Sequence, residues 1–273
     1  MKKIVTALVL AGLVGAPGVV MAEEPASPHT LTANVALVSD YVFRGISQTQ
    51  NGPAIQGGVD YSHSSGFYLG TWASNVSWVS TVADWDANSA TPPTAFKDNN
   101  SMEIDFYGGY KGTVAEDFGY DVGVITYYYP GNQVSGSNDP DTTEVYLGGS
   151  WKFLSAKYSY TASNQFVGWG TTADATAKTQ GSYYVEGAVN YPFGEGWGVL
   201  AHVGYQSVKD NDNASYTDWK LGVSKDVGFG VFALAYTGTD ADTATYTWTT
   251  SSLGDNTKKV ADDHWILSFS KSF

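Results

Sequence analysis

Apolar and polar residues alternate along most of this chain with a period of two. Between 31 and 43, Leu31, Ala33, Val35, Leu37, Tyr41 and Phe43 fall on one face, while Thr32, Asn34, Asp40 and then Arg44 fall on the other. A strand sends successive side chains to opposite sides, so the segment reads as a strand with one greasy and one polar face. The alternation returns at 53–63, where Ile55, Val59 and Tyr61 oppose Gln56, Asp60 and Ser62. At 102–111, Met102, Ile104, Phe106 and Tyr110 oppose Glu103, Asp105, Tyr107 and Lys111. It recurs at 118–129, 143–152, 154–163, 182–192, 197–207, 216–225 and 263–273. Two further strand-like segments, 67–78 and 228–238, do not declare a face; with them the pattern predicts twelve strands.

The connections alternate in length. Short turns at 64–66, 112–117, 153, 193–196 and 226–228 are separated by longer polar loops near 44–52, 79–100, 130–141, 164–179, 208–215 and 239–261. That rhythm is the one of bacterial outer-membrane barrels, with tight periplasmic turns, larger external loops and both termini in the periplasm. Aromatic spacing adds a distance. Tyr120 and Tyr128, Tyr183 and Tyr191, Trp197 and Tyr205, and Trp265 and Phe273 each stand eight positions apart on the outward face, as a membrane girdle would. Eight residues at ~3.3 Å, tilted ~40°, cover roughly 20 Å along a barrel axis, close to the ~25 Å apolar band between interfacial girdles. A secreted soluble β-sandwich, the competing fold, does not call for that interval. The expected fold class is all-β, a transmembrane antiparallel up-and-down β-barrel of about 12 strands over residues 31–273.

Residues 1–22 read as a cleaved signal peptide: Lys2 and Lys3 precede an apolar stretch from Ile4 to Val20, and Val20-Met21-Ala22 stands where a signal peptidase cuts. A retained helix fits less well, because the run is short and interrupted by glycines and Pro17. Residues 23–30 would be a short periplasmic segment. Composition favours strands over helices, with 31 Gly, 19 Tyr, 9 Trp and 12 Phe against 3 Met. With no cysteine, an exported chain of this size draws its stability from hydrogen-bonded architecture rather than disulfides. The mean hydropathy of -0.20 suits a barrel as well as a soluble protein, since only alternate strand residues meet lipid. A formal charge of -13 argues against nucleic acid as a partner.

Two stretches carry a family resemblance. Ser39-Asp40-Tyr41-Val42-Phe43-Arg44-Gly45-Ile46-Ser47-Gln48-Thr49 and Pro53-Ala54-Ile55-Gln56-Gly57-Gly58-Val59-Asp60-Tyr61 resemble the TorF-type putative porin family, proteobacterial outer-membrane proteins long carried as uncharacterised. The likeness continues through Val76 and, more weakly, at Glu103 to Tyr110, Tyr127 to Pro130 and Glu144 to Tyr146. The resemblance implies an outer-membrane location and pore activity, with no substrate to carry over. The tail from Trp265 to Phe273 also resembles the C-terminal signal read by the outer-membrane assembly machinery. Lys271 departs from that pattern, although a lysine near the interface can extend its amine to lipid headgroups.

Placing the polar face of each strand in the lumen makes Asp40, Asp60, Glu103, Asp105, Asp121, Glu144, Glu186 and Asp218 the interior acids. Arg44, Lys111, Lys152, Lys157 and Lys220 are the interior bases. An excess of one sign along a narrow path concentrates the opposite ion, so a mild cation preference is expected. The competing role for the same groups is to pair across strands and plug the barrel. Arg44 either lines the mouth or anchors the first loop through a salt bridge or hydrogen bond. Tyr107, Tyr127, Tyr129, Tyr146 and Tyr184 either stack on planar solutes or fill space.

An outer-membrane lipid hydrolase is the enzymatic alternative, but a nucleophilic serine needs a histidine and an orienting group. His29 and His63 lie before or beside the wall, and His202 and His264 face the lumen without a marked serine, so no catalytic site is assigned. Asp84 with Asp86, Asp139 with Asp141, and Asp210 with Asp212 have spacing that could offer oxygens to Ca²⁺ or Mg²⁺, yet none continues into a calcium loop. No metal or cofactor is expected. The expected role is a porin-like channel for passive or facilitated passage of small polar solutes, surrounded by outer-membrane lipid and lipopolysaccharide. A plugged structural or adhesive barrel is the alternative.

Overall fold

The computed structural model describes residues 27–79, 100–131, 138–250 and 256–273. The expected signal peptide over 1–22, Asp84, Asp86 and nearly all of the loop at 79–100 lie outside the described residues. In chain order the strands are β1 (His29–Val38), the short β2 (Val42–Phe43) and β3 (Ile46–Ser47), β4 (Ala54–His63), β5 (Phe67–Asn75), β6 (Met102–Ala115), β7 (Phe118–Tyr128) and β8 (Thr142–Trp151). They continue as β9 (Leu154–Thr161), β10 (Tyr183–Gly194), β11 (Trp197–Ser207), β12 (Tyr216–Asp226), β13 (Val231–Thr239), the short β14 (Thr247–Thr250) and β15 (Asn256–Lys259), and β16 (His264–Ser272). Twelve of these form one closed antiparallel barrel, with β2–β3 and β14–β15 as separate hairpins. The twelve-strand closed barrel expected from alternation is what the structure has.

Closure is made between the two ends of the chain. β1 pairs with β4 on one side and with β16 on the other, in register from Asn34↔Ser272 to Val38↔Ser268. Phe273 and Ala33 exchange backbone hydrogen bonds of 2.8 and 3.2 Å beyond the last pair. A closed sheet leaves no free rim of N–H and C=O groups, which is the condition for strands to sit in hydrocarbon. Among the described residues no helix is long and apolar enough to cross a membrane.

The two faces separate cleanly. Leu31, Leu147 and Leu221 are 71%, 61% and 58% exposed, and they point outward. The undeclared segments resolve the same way: Phe67 and Leu69 of β5 and Phe232 and Leu234 of β13 are exposed, while Tyr68, Trp72, Val231, Ala233 and Ala235 are buried inside. On the outer face Tyr128, Tyr191, Trp197, Tyr205, Trp265 and Phe273 are exposed and Tyr120 and Tyr183 are half-buried.

Two departures from the alternation matter. The first wall strand stops at Val38, where Ser39 Oγ accepts the Leu267 N–H at 2.9 Å and the chain turns inward. Tyr41 and Phe43, placed on the outward face by the sequence pattern, therefore lie inside, Tyr41 being 5% exposed. Lys152 is corrected too. β8 ends at Trp151, and Lys152 occupies the turn to β9 with φ 56°, half-exposed and 3.7 Å from Asp117, so it is not an interior base.

Candidate functional site in the barrel interior

The first loop folds into the barrel instead of over it. β2 and β3 form a hairpin whose tip is Arg44-Gly45, and residues 44–49 are all buried. Both tip residues have positive φ, 48° and 80°, the conformation of a tight two-residue hairpin turn. Gly45 is required at its position. A Cβ there would meet Thr239 Cγ2 and come within 2.6 Å of Asp218 Cβ, on the far wall.

Arg44 is the anchor of that tip. Its guanidinium grips Glu144 of β8 bidentately, Nη1 to Oε1 at 2.9 Å and Nη2 to Oε2 at 2.6 Å, and Nη1 also donates to Gln206 Oε1 at 2.7 Å. The Tyr184, Phe43 and Phe166 rings lie 4.2, 4.7 and 5.6 Å from its central carbon. Such charge-assisted, desolvated and ring-stacked contacts are the strong kind. At the hairpin base, Asp40 Oδ1 accepts from Ser47 Oγ at 2.7 Å and Thr49 Oγ1 at 2.9 Å, and its Oδ2 lies 2.9 Å from His264 Nε2. The Tyr41 hydroxyl donates to Glu103 Oε1 at 3.0 Å, and Ser47 N–H to the Val260 carbonyl at 2.8 Å.

Around the hairpin the loop end is packed like a core. One apolar cluster joins Tyr41, Trp72, Val76, Trp78, Tyr127 and Tyr129. A second joins Ile46, Tyr216, Tyr246 and Val260, and a third joins Phe166, Val208 and Ala214. Toward the turn end the interior is more open and its charges are paired. Lys157 lies 2.9 Å from Glu186, and His202 bridges Glu186 at 3.4 Å and Asp218 at 3.0 Å. The Tyr184 hydroxyl donates to Asp218, the Tyr107 hydroxyl to Asp60 and the Tyr68 hydroxyl to Asp121, at 2.7, 2.6 and 2.6 Å. Tyr68 also touches the Tyr146 hydroxyl, and Lys111 lies 4.9 Å from the Tyr68 ring. Lys220 is half-buried on β12, on the same face as Asp218 and two residues along the strand.

The residues singled out in the sequence thus divide into two groups. Asp40, Arg44, Glu103, Asp105 and Glu144 gather around the inserted hairpin, while Asp60, Tyr107, Lys111, Asp121, Lys157, Glu186, Asp218 and Lys220 occupy the wall below or beside it. Direct pairing of Arg44 with Asp60 does not occur; each has another partner. Sequence reasoning missed Gln206, and missed Tyr184 as a ring partner of Arg44. The available signal was Arg44-Gly45 between Val42-Phe43 and Ile46-Ser47, a short hairpin inside a segment read as strand and loop.

His202 and His264 meet carboxylates and, for His202, a tyrosine; none of the described hydrogen bonds joins either to a serine hydroxyl. Asp139 and Asp141 cap local backbone, and among the described residues no group of three or more His, Asp or Glu is arranged for a metal ion.

A family model described as "Bacterial protein of unknown function (Gcw_chp)" matches residues 22–273. None of the curated proteins matches the chain by sequence. Among solved structures, the KdgM porin superposes with a TM-score of 0.51 at 9% identity, covering 89% of this chain and 99% of that one. A KdgM porin in complex with disordered oligogalacturonate gives 0.49 at 9% identity with the same coverage. The Salmonella typhi OmpF complex with daunomycin gives 0.45 at 11% identity, covering 90% and 97%. The first of these likenesses shows a shared porin-type barrel fold.

Proposed function

The chain belongs to the Gcw_chp family of bacterial proteins of unknown function, and from that premise we propose that this member is a porin-like channel of the outer membrane. The observation that carries the reading is a closed wall, apolar outside and lined within by ionisable side chains. Lining of that kind is costly unless water or a polar solute shares the interior. The finer likeness to TorF-type putative porins through residues 39–76 supports the same class. On this reading residues 1–22 are removed at export, the strand ending at Phe273 engages the assembly machinery, and lipopolysaccharide and lipid surround the belt.

Small polar solutes are the proposed cargo, with a mild cation preference. Lys152 stands outside the lumen, so the interior acid excess is larger by one than the excess counted from sequence, and the pairs Arg44–Glu144 and Lys157–Glu186 leave it unchanged. The hairpin 42–47 is buried within the loop end of the described barrel, and on this reading passage requires it to leave its seat. The same buried hairpin favours a second reading, a plugged structural or adhesive barrel. Planar-bilayer recording under a salt gradient separates them: the channel reading expects conductance with a cation-sign reversal potential. Anion selectivity, or silence even after the hairpin is released, would reject it.

A further inference from the structure

Three side-chain oxygens between β4 and β6 accept no hydrogen bond: Gln56 Oε1, Glu103 Oε2 and Asp105 Oδ1, on residues only 2%, 1% and 1% exposed. Glu103 and Asp105 stand two apart on the lumen face of β6 with their carboxylates against each other. Gln56 belongs to the same row, through the register Gln56↔Ser74↔Glu103. One proton fixes its amide. Ser74 Oγ donates to the Asn75 carbonyl at 3.0 Å, so it must accept from Gln56 Nε2 at 3.3 Å. The amide is thereby drawn over β5 toward β6, with Oε1 as its free end.

Among the described residues no base answers these acids. The ion pairs among the described residues leave Glu103 and Asp105 out, and Arg44 is committed to Glu144 and Gln206. The other groups facing the pair are the hydroxyls of Tyr41, Tyr127 and Tyr129 and the carboxylate of Glu144, none of them positive. Two buried carboxylates facing each other stay in a low-dielectric interior only if protons or a cation neutralise them. A single shared proton would join the two facing carboxylate oxygens and leave the Gln56 carbonyl unanswered. A cation answers all three. We propose that Glu103, Asp105 and Gln56 form a binding site for a hard divalent cation of the calcium class. The donors are all oxygen, two negative charges match the ion, and a mixed carboxylate and amide set suits the irregular coordination of calcium better than the strict octahedron of magnesium. The ion would sit where Tyr41 ties the hairpin to the wall, and it does not depend on conduction.

Terbium is a direct probe, because Tyr41 bonds Glu103 and lies 5.5 Å from Trp72, giving two rings to sensitise its emission. Purified folded barrel in detergent should give saturable terbium luminescence that calcium displaces. Asp105→Asn should weaken it by at least about tenfold in Kd. If that variant does not fold, as judged by heat-modifiable migration, Gln56→Met removes only the neutral oxygen and should weaken binding in the same direction. Absence of a saturable signal in the folded wild type would overturn the proposal in favour of a shared proton. A signal unchanged in both variants would assign the binding to exposed loop carboxylates and overturn it as well.

Discussion

Arg44→Ala tests the inserted hairpin where its anchorage is most concentrated. Among the described residues the substitution leaves Glu144, fully buried, with the Tyr127 hydroxyl at 3.4 Å as its remaining donor, and it strips the donor from Gln206 Oε1. Breaking a buried ion pair in this way costs about 3–5 kcal/mol. Burial of Tyr41, Phe43 and Ile46 contributes roughly 1.5–3 kcal/mol each, about 5–9 kcal/mol together. Ordering the backbone of residues 41–49 costs about 1–2 kcal/mol per residue, roughly 9–18 kcal/mol. Apolar burial alone falls short, so the Arg44 contacts decide whether the hairpin stays in. The twelve wall ladders do not include the hairpin, and the loss should release it without opening the barrel. Because the chain has no cysteine, Gln48→Cys, at a residue 6% exposed, is a unique reporter of its position. Maleimide labelling should be slow with Arg44 present and about 10²–10³-fold faster in the Arg44→Ala background, with conductance rising in parallel. Equal labelling and equal conductance in the two backgrounds would refute the reasoning.

Gly45→Ala should reproduce that phenotype through sterics alone, since its Cβ would meet Asp218 and Thr239 in a left-handed backbone conformation; the same labelling assay reads it. Gly204→Ala should instead weaken the wall, because a Cβ there would lie 2.8 Å from Tyr184 Cε2; overpacking of this kind costs about 1–3 kcal/mol and should lower the temperature of the heat-induced gel shift. Asp141 stands at the loop end ahead of β8, outside the spanning stretch, and burial followed by the charge of Asp139 pushes its pKa up from 3.8 to about 6 despite the Tyr129 N–H on it. A folded state that holds the proton more tightly is most favoured below the ordinary value and loses that contribution as pH rises through about 6. Resistance of the loop end to proteolysis should therefore fall between about pH 4 and pH 7, and Asp141→Asn should flatten the dependence.

The wall was legible because every second residue had to satisfy lipid, and the constraint acts residue by residue. Leu31, Ile104, Leu147 and Leu267 declare their face without help from distant parts of the chain. Where the wall ends, the rule continues to be obeyed for the wrong reason. Tyr41 and Phe43 keep the parity of Leu31 but are buried against Trp72 and Tyr127, because an inserted hairpin also needs apolar side chains. Lys152 kept the parity of Ser150 although its strand had already turned. An anchoring salt bridge was one of the two roles read for Arg44, but its partners were not readable. Its partners Glu144 and Gln206 lie 100 and 162 residues away, and only barrel closure brings them to one level. Within the interior the sequence supplied an inventory of charges, and the pairings came from register.

The most direct test is a comparison of spin labels placed singly at Leu147 and Leu221 with labels at Ser155 and Ser224, in barrels reconstituted into bilayers. Dissolved oxygen partitions into hydrocarbon and a nickel chelate into water. The two leucine positions should relax with oxygen and the two serine positions with nickel. Equal access of nickel to all four sites would contradict a wall that divides lipid from a polar interior.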